Sequence, residues 1–369
     1  MKRERHPTLF DVARHAGVGT TTVSRVINGG SRVSPKTLEQ VRRAIDELGF
    51  VPNLAARVLK GEQSKTIGLI VPSIADSFFA SCAEAIQKVA RSFGSLVVVT
   101  VTHNDPALEM ENIQTLFRRA DGLLIAPSDS NNPKLIGRLT RLSIPVVCFD
   151  RPLHDERIPA VLTDNYHSAK TATRHLLQHG YKRILCLGGE AAFHTMEERV
   201  RGYEAAMRDA NRPTTIDISA HDPSSEEIAA MLARHLTGKA PPRAVFCLKN
   251  ATTIHTYDAL QRFGMHIPQQ VALVGYDDFL LAATLRPSIT VIQQPVEEIG
   301  RKAAKLLFER LAAKADHSSL LRAESHAKNV RLKSRLIVRA SCGCREFNVD
   351  GLPVSQKLQG GALAATTEM

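Results

Sequence analysis

The chain has 369 residues, with 48 Lys+Arg against 37 Asp+Glu, a formal net charge of +11 and no tryptophan. It is too long for one small module and long enough for a small domain plus a large one. No stretch approaches the roughly 18 apolar residues of a membrane span, and no apolar run follows Met-Lys-Arg-Glu-Arg-His at the start, so a secreted or membrane protein is not expected. The expectation is a soluble cytoplasmic protein whose six cysteines are buried thiols and not disulfides.

The first element in chain order is a pair of short helices. Thr8 caps the first, with Asp11 three residues on to complete a capping box. Leu9, Val12, Ala13 and Ala16 recur at helical spacing. Gly17 supplies a turn, and a second apolar set, Val23, Val26 and Ile27, follows it. Thr20, Thr21 and Thr22 stand at the start of this second helix, where a hydroxyl and a methyl suit base edges and the thymine methyl. Two helices joined this way form the geometry that places a helix in the DNA major groove. A plain helical hairpin is the competing reading of these residues alone.

Ser34-Pro35 then starts a third helix, with Leu38, Val41, Ile45 and Leu48 on one face and Gly49 at its end. Residues 51–61 form a short helix between Asn53 and Gly61, too short to be stable alone in water. It carries Arg57 and Lys60 beside Leu59. A marginal basic helix suits a segment that folds on DNA, with Leu59 as an apolar wedge in the minor groove; an ordinary interdomain helix is the alternative. Residues 1–65 hold 12 Lys+Arg against 6 Asp+Glu, over half of the net positive charge in under a fifth of the length. That placement suits phosphate neutralisation and predicts steep salt dependence of binding.

Residues 8–61 resemble the headpiece and hinge helix of the LacI/GalR family of bacterial transcriptional regulators. The resemblance rests on Asp11-Val-Ala, Ala16-Gly-Val, Thr22-Val-Ser-Arg-Val-Ile-Asn28, Val33-Ser, Leu48-Gly, Pro52-Asn, Ala55-Ala-Arg and Leu59, in that order. It implies base reading by Thr20 and Thr21, phosphate or base contacts by Ser24, Arg25 and Asn28, and intercalation by Leu59. Thr8, Thr22, Ser34, Asn53, Ala56, Arg57 and Lys60 complete the expected DNA-binding set. Gly19 stands where the family usually has a capping serine, a difference of a few tenths of a kcal/mol.

From Thr66 onward short apolar runs alternate with helices. Ile67–Val71, Leu96–Val101, Leu123–Ala126 and Val146–Phe149 read as buried strands, with a helical stripe of Phe79, Cys82, Ala83, Ile86, Ala90 and Phe93 between the first two. A second series follows, at Ile184–Leu187, Val245–Leu248 and Ala272–Val274, with helices near 166–179, 196–211, 224–237 and 252–264. Such alternation implies parallel sheets covered by helices on both faces, and two series imply two similar lobes. Ligands in open parallel sheets bind beyond the carboxyl ends of the strands, so a cleft between the lobes is the expected site.

The fold class is therefore α/β: a small all-α helix-turn-helix headpiece plus hinge helix, then a core similar to the periplasmic-binding-protein-like effector domain of the same family. The expected division is headpiece 1–50, hinge helix and linker 51–64, core 65–345 and a disordered tail 346–369. Lobe 1 takes about 65–163 and 295–325, and lobe 2 about 164–294 and 326–345. Residues 313–330 read as a polar surface insertion. The tail carries no leucine heptad for a tetramerising coiled coil, so a homodimer is expected.

Polar residues that follow buried strands mark the cleft edge: Asp150-Arg151, Lys249-Asn250 and Tyr276-Asp277-Asp278. The family resemblance adds Phe78 and Phe79 as lining of the first lobe, Asp164 after the crossing strand 160–163, Arg199 as an effector-binding arginine, and Gln294 near the crossover. It also makes Asp150 and Asp277 cleft carboxylates. Asp164 and Asp278 could instead cap helices, and Arg199 could be a solvated charge. Lys249-Asn250 departs from the Asn-Asp common in the family. Three cations, Arg151, Arg199 and Lys249, on one pocket would favour a sugar acid or sugar phosphate. If Lys249 instead pairs with Asp277 or Asp150, the effector is a neutral sugar.

An enzyme is not expected. Neighbouring Asp277 and Asp278 at an extended strand end point to opposite sides and do not flank one bond. No phosphate loop with Lys-Ser/Thr and no Gly-x-Ser-x-Gly elbow occurs. Cys342-Gly-Cys344 lacks the two-residue spacer and the partner pair of a zinc site, so no metal and no cofactor is assigned. The resulting reading is a repressor of a carbohydrate-utilisation operon, in which a dimer places two headpieces on a near-palindromic double-stranded operator. The alternative is a stand-alone sugar-binding or sugar-processing protein.

Overall fold

The computed structural model describes residues 7–27, 33–51, 63–315 and 329–344. The chain forms two compact units, Met1–Ser64 and Lys65–Met369. Asn28, Asn53, Ala56, Arg57, Leu59 and Lys60, with the expected hinge helix and tail, lie outside the described residues.

The first unit contains helices α1 (Leu9–His15), α2 (Thr20–Ile27) and α3 (Pro35–Leu48). Thr8 and Asp11 close a capping box at α1, with the Thr8 N–H donating to Asp11 Oδ2 at 2.9 Å. Gly17 takes φ +66 between α1 and α2, a left-handed turn that a side chain would resist. Ser34 caps α3, accepting from the Thr37 N–H at 3.2 Å. Val12 and Ala13 of α1, Val23 of α2, and Val41 and Ala44 of α3 meet in one core that Phe50 closes. His15 and Glu47, 2.6 Å apart, pin the end of α1 to α3.

Among its described residues the second unit holds two six-stranded sheets. The first runs β11-β5-β4-β3-β1-β2, built from β1 (Thr66–Val71), β2 (Leu96–Val101), β3 (Gly122–Ile125), β4 (Val146–Phe149), β5 (Ala160–Thr163) and β11 (Val330–Leu332). All its pairings are parallel. The second runs β12-β10-β9-β8-β6-β7, from β6 (Ile184–Gly188), β7 (Thr215–Ile218), β8 (Ala244–Cys247), β9 (Ala272–Tyr276), β10 (Thr290–Gln293) and β12 (Arg335–Ile337). Only β12 is antiparallel there.

Alternation along each strand feeds two cores per sheet, as a two-sided parallel sheet requires. Ile67, Leu69 and Val71 face α4 (Ser77–Ser92) and α11 (Val296–Ala315), whereas Ile70 faces α5 (Pro106–Leu116) and α6 (Pro133–Leu139). In the second sheet Ile184 and Cys186 face α7 (Asn165–Gln178) and α8 (His194–Asp209). Leu185 and Leu187 face α9 (Ser225–Leu236) and α10 (Asn250–Arg262). Phe93, expected at the end of the buried stripe, is exposed but stacks on Phe308 of α11 at 4.1 Å.

Among the described residues the backbone crosses between lobes three times: after β5, after β10 and between β11 and β12. The return of α11 to the first lobe accords with its packing on α4. One boundary needs correction. Residues 326–345 were expected in the second lobe, but β11 pairs with β5 in the first, Val330 opposite Val161. Three residues are too short a strand to announce its sheet, and only the segment from β12 onward belongs to the second lobe. All six cysteines are free. Among the described residues no helix is long and apolar enough to cross a membrane.

Candidate functional site

In the first unit, Thr20, Thr21 and Arg25 are exposed on α2, while Thr22 and Ser24 are half-buried beside the buried Val23. The helix thus presents hydroxyls from its first turn and a guanidinium from its last. Thr8 and Ser34 are exposed too, but their hydroxyls serve as helix caps.

In the second unit the carboxyl ends of both sheets border a cleft of about 300 Å³. Phe78, Phe79, Asp150, Arg151, Arg199, Lys249, Asp277 and Gln294 all line it. Asp164 does not. Its carboxylate instead accepts from the Ser334 N–H at 2.9 Å, holding the third crossover, and it makes no cap to α7. Asp278 is no cleft group either: Arg339 grips both its oxygens at 3.0 and 2.9 Å.

The phenylalanines open α4 and meet edge to face, with ring centroids 5.0 Å apart. Asp76 caps that helix by accepting from the Phe78 N–H at 3.0 Å. Its same oxygen accepts from Asn250 of the other lobe at 3.3 Å.

The cations are held by the protein itself. Arg199 donates to Asn165 Oδ1 at 2.8 Å and to the Leu248 carbonyl at 2.6 Å, stacks over the Tyr276 ring at 3.6 Å, and lies 3.8 Å from Asp277. Arg151 donates to Asn104 Oδ1 at 2.8 Å, sits 3.4 Å from Asp150, and covers the Phe193 ring of the opposite lobe at 3.9 Å. Lys249 lies between Glu190 at 3.0 Å and Asp222 at 2.9 Å. The expected partners of Lys249 were Asp277 or Asp150; the observed ones come from the loops after β6 and β7. Burial works against the Lys249 charge, but Glu190 and Asp222 outweigh it and hold the ammonium above its ordinary value.

The carboxylates are under the opposite pressure. Burial raises Asp150 from 3.8 to about 6, against the attraction of Arg151 and Arg199. Burial raises Asp277 as well, opposed by Arg199 and by a hydrogen bond from Gln294. Gln294 Nε2 donates to Asp277 Oδ1 at 2.6 Å, and its Oε1 accepts from Thr163 Oγ1 at 2.6 Å. This chain joins both lobes beside the crossovers.

Asp76, Asn104, Glu190 and Asp222 also line the cleft, and sequence reasoning missed them. The rule that found Asp150 would have found Asn104 and Glu190, since each follows the end of a strand by two or three residues. The two are joined across the cleft, Asn104 Nδ2 donating to Glu190 Oε1 at 2.8 Å. His103, Asn104, Asp150, Glu190 and Asp277 all take positive φ, from +50 to +66. Non-glycine residues in this region are strained, and such strain gathers at binding sites.

The two units match known protein families separately. Residues 64–333 match the family model described as periplasmic binding proteins and sugar binding domain of LacI family. Residues 8–53 match that of bacterial regulatory proteins, lacI family. The chain is 31% identical over 314 residues to the HTH-type transcriptional repressor PurR of Aliivibrio fischeri (strain MJ11), covering 84% of this chain and 93% of that one. Among solved structures it resembles a transcriptional regulator CelR–cellobiose complex, with TM-score 0.65 and 30% identity over 91% of this chain and 99% of that one. It shares the fold of the lac repressor dimer bound to operator and the anti-inducer ONPF, with TM-score 0.79 and 24% identity over 92% and 99% of the two chains.

Proposed function

The chain belongs to the LacI family of bacterial regulatory proteins, and from that premise we propose that it represses a carbohydrate-utilisation operon, binding a near-palindromic operator as a homodimer under the control of a neutral sugar. The observation that carries the effector class is the charge state of the cleft. Lys249 is spent on Glu190 and Asp222, and Arg199 and Arg151 are committed to protein oxygens and rings. Five carboxylates line the cleft against three such cations. An anionic ligand would meet more negative than positive charge, whereas a polyol offers hydroxyl donors to Asp150 and Asp277. Phe78 and Phe79 supply an apolar wall for the carbon face of a sugar ring.

DNA binding rests on α2, with Thr20 and Thr21 as base readers and Arg25 at phosphate. The homodimer is supported by the edge strand β2, whose Leu96, Val98 and Val99 are exposed. A binding role and not catalysis is supported by the divergence of Asp277 into the cleft and Asp278 onto Arg339. Sugar and operator are then linked: whatever factor the sugar imposes on operator affinity, the operator imposes on sugar affinity.

Calorimetric titration of the full chain with matched neutral sugars, sugar acids and sugar phosphates tests the effector. Heat confined to the acids or phosphates overturns the neutral-sugar reading. Selection from a random duplex pool tests the DNA half, with enrichment of an inverted repeat expected and an unenriched pool refuting it.

A further inference from the structure

Four side chains that the regulatory reading does not use meet at the far end of α7 from the cleft. Asn165, which braces Arg199, opens that helix, and His175 lies ten residues on, about 15 Å along the axis. His179 follows at the helix end. Cys342 and Cys344 arrive from the short 3₁₀ turn (Ala340–Cys342) after β12. Each offers one ligand atom, and the four atoms lie within 4.8 Å of one another. His175 Nε2 is 3.2 Å from Cys342 Sγ and 3.8 Å from Cys344 Sγ, and His179 Nε2 is 3.0 Å from Cys344 Sγ.

We propose that His175, His179, Cys342 and Cys344 form a structural zinc site that clamps the segment after β12 to α7. The edges of a tetrahedron with Zn–N and Zn–S bonds of ordinary length run from roughly 3.3 to 3.8 Å, close to the three N–S spacings above, while the limit of 4.8 Å for the whole set leaves about 1 Å for the ligands to close on the metal. Two imidazoles and two thiols are the donor set that tetrahedral zinc takes from proteins, and soft sulfur excludes calcium and magnesium. The histidines have the His-x₃-His spacing of known zinc sites. The cysteines stand one residue closer than the usual pair, which is why their sequence argued against a metal. Two features of the fold answer that objection.

The missing partner pair comes from α7, more than 160 residues earlier in the chain. The short spacer is accommodated by Gly343, whose φ of +97 turns Cys344 back toward the helix. A Cβ at residue 343 would sit 3.0 Å from the Tyr181 hydroxyl, so the bend fits only glycine closely. An outer contact is in place too: Thr290 Oγ1 donates to Cys342 Sγ at 3.1 Å, the kind of bond that orients a thiolate ligand. Cys342 is fully buried while His179 is exposed, so the metal has both an anchor and an entry side. Four protein ligands leave no open position, making the role structural and not catalytic.

The test uses the untagged full chain, purified under reductant, with Zn²⁺ and Co²⁺ as probes. One zinc per chain by mass spectrometry is expected, with Co²⁺ giving the visible bands of a tetrahedral site and a near-ultraviolet thiolate charge-transfer band. Cys344→Ser and His179→Ala, both outside the buried core, should each lower zinc affinity at least tenfold, and chelation should lower the Tm of the parent but not of these variants. The proposal is overturned by a chain that takes up no metal after reduction, or by a Cys342–Cys344 disulfide whose reduced form binds none. It also fails if the cobalt spectrum lacks a thiolate band, or if the two variants keep full affinity.

Discussion

Asp150 and Asp277 are counterparts: each is the first residue after the fourth strand of its lobe, and each holds a left-handed backbone, φ +65 and +66. Both are buried, and burial raises both carboxyl pKa values. The two lobes therefore present the same group to the cleft from opposite sides, at the point where open parallel sheets bind ligands. A molecule with hydroxyls on both edges can satisfy both carboxylates at once.

Asp277→Asn should weaken sugar binding by roughly 10- to 100-fold, the size of one hydrogen bond to a charged acceptor. The amide keeps the shape and can still meet Gln294 after a rotation, so folding should persist. Calorimetry on parent and variant reads this; unchanged affinity removes Asp277 from the hydroxyl-reading role.

Asp150 carries a pH dependence of stability. Its carboxyl titrates near 3.8 in an unfolded chain and near 6 when folded. Protonated Asp150 thus favours the folded state fully below pH 3.8, and the advantage is lost as pH rises through about 6. The total is on the order of 3 kcal/mol. Asp150→Asn should gain by about that amount relative to the parent between these limits, measured by urea unfolding of the sugar-free protein, while losing sugar affinity. A parent–variant difference that ignores pH contradicts the assignment.

Lys249→Met separates the two effector classes. Removing the ammonium leaves Glu190, with a side chain only 10% exposed, without its cation. Unfolding free energy should fall by roughly 2 kcal/mol, between the surface and buried limits for a broken pair. Neutral-sugar affinity should move by less than about tenfold, because the lysine does not read the ligand. If the same change abolishes binding of a sugar acid that the parent holds tightly, Lys249 is an anion clamp after all.

On α2, two kinds of loss are expected. Thr20→Ala and Thr21→Ala should each relax sequence preference at single positions by about 1–3 kcal/mol. Arg25→Ala should weaken binding to all sequences and lower the salt slope by about 1. Fluorescence anisotropy against the selected operator and its single-base variants distinguishes them. Equal losses from all three would mean that the threonines hold the backbone only.

Much of this was legible in the sequence because it rests on local signals. Thr8 with Asp11 closes its capping box, Ser34-Pro35 starts α3, and the buried runs at 67–71 and 184–187 are strands. Edge strands misled in two ways: β7, Thr-Ile-Asp-Ile, is half-exposed and reads as no apolar run, whereas β2 reads as a buried run although Leu96, Val98 and Val99 are exposed. Partnerships between distant loops escaped. Nothing near Lys249 in sequence points to Glu190 or Asp222, 59 and 27 residues away. Nothing near Cys342 points to His175. A pattern gives the face of an element, but the neighbour across a loop is set by how two sheets are stacked.

The three crossings also set an order of assembly. The second lobe has its flanking helices α7 to α10 within one unbroken run, 165–262. The first lobe does not: its face of Ile67, Leu69 and Val71 needs α11, which ends at Ala315. During synthesis this face of the part made first therefore stays incomplete while the helices of the second lobe are made. Nascent chains carry an apolar sheet face with only α4 to cover it across roughly two hundred residues of elongation, an interval in which it must be shielded from its neighbours on the same message.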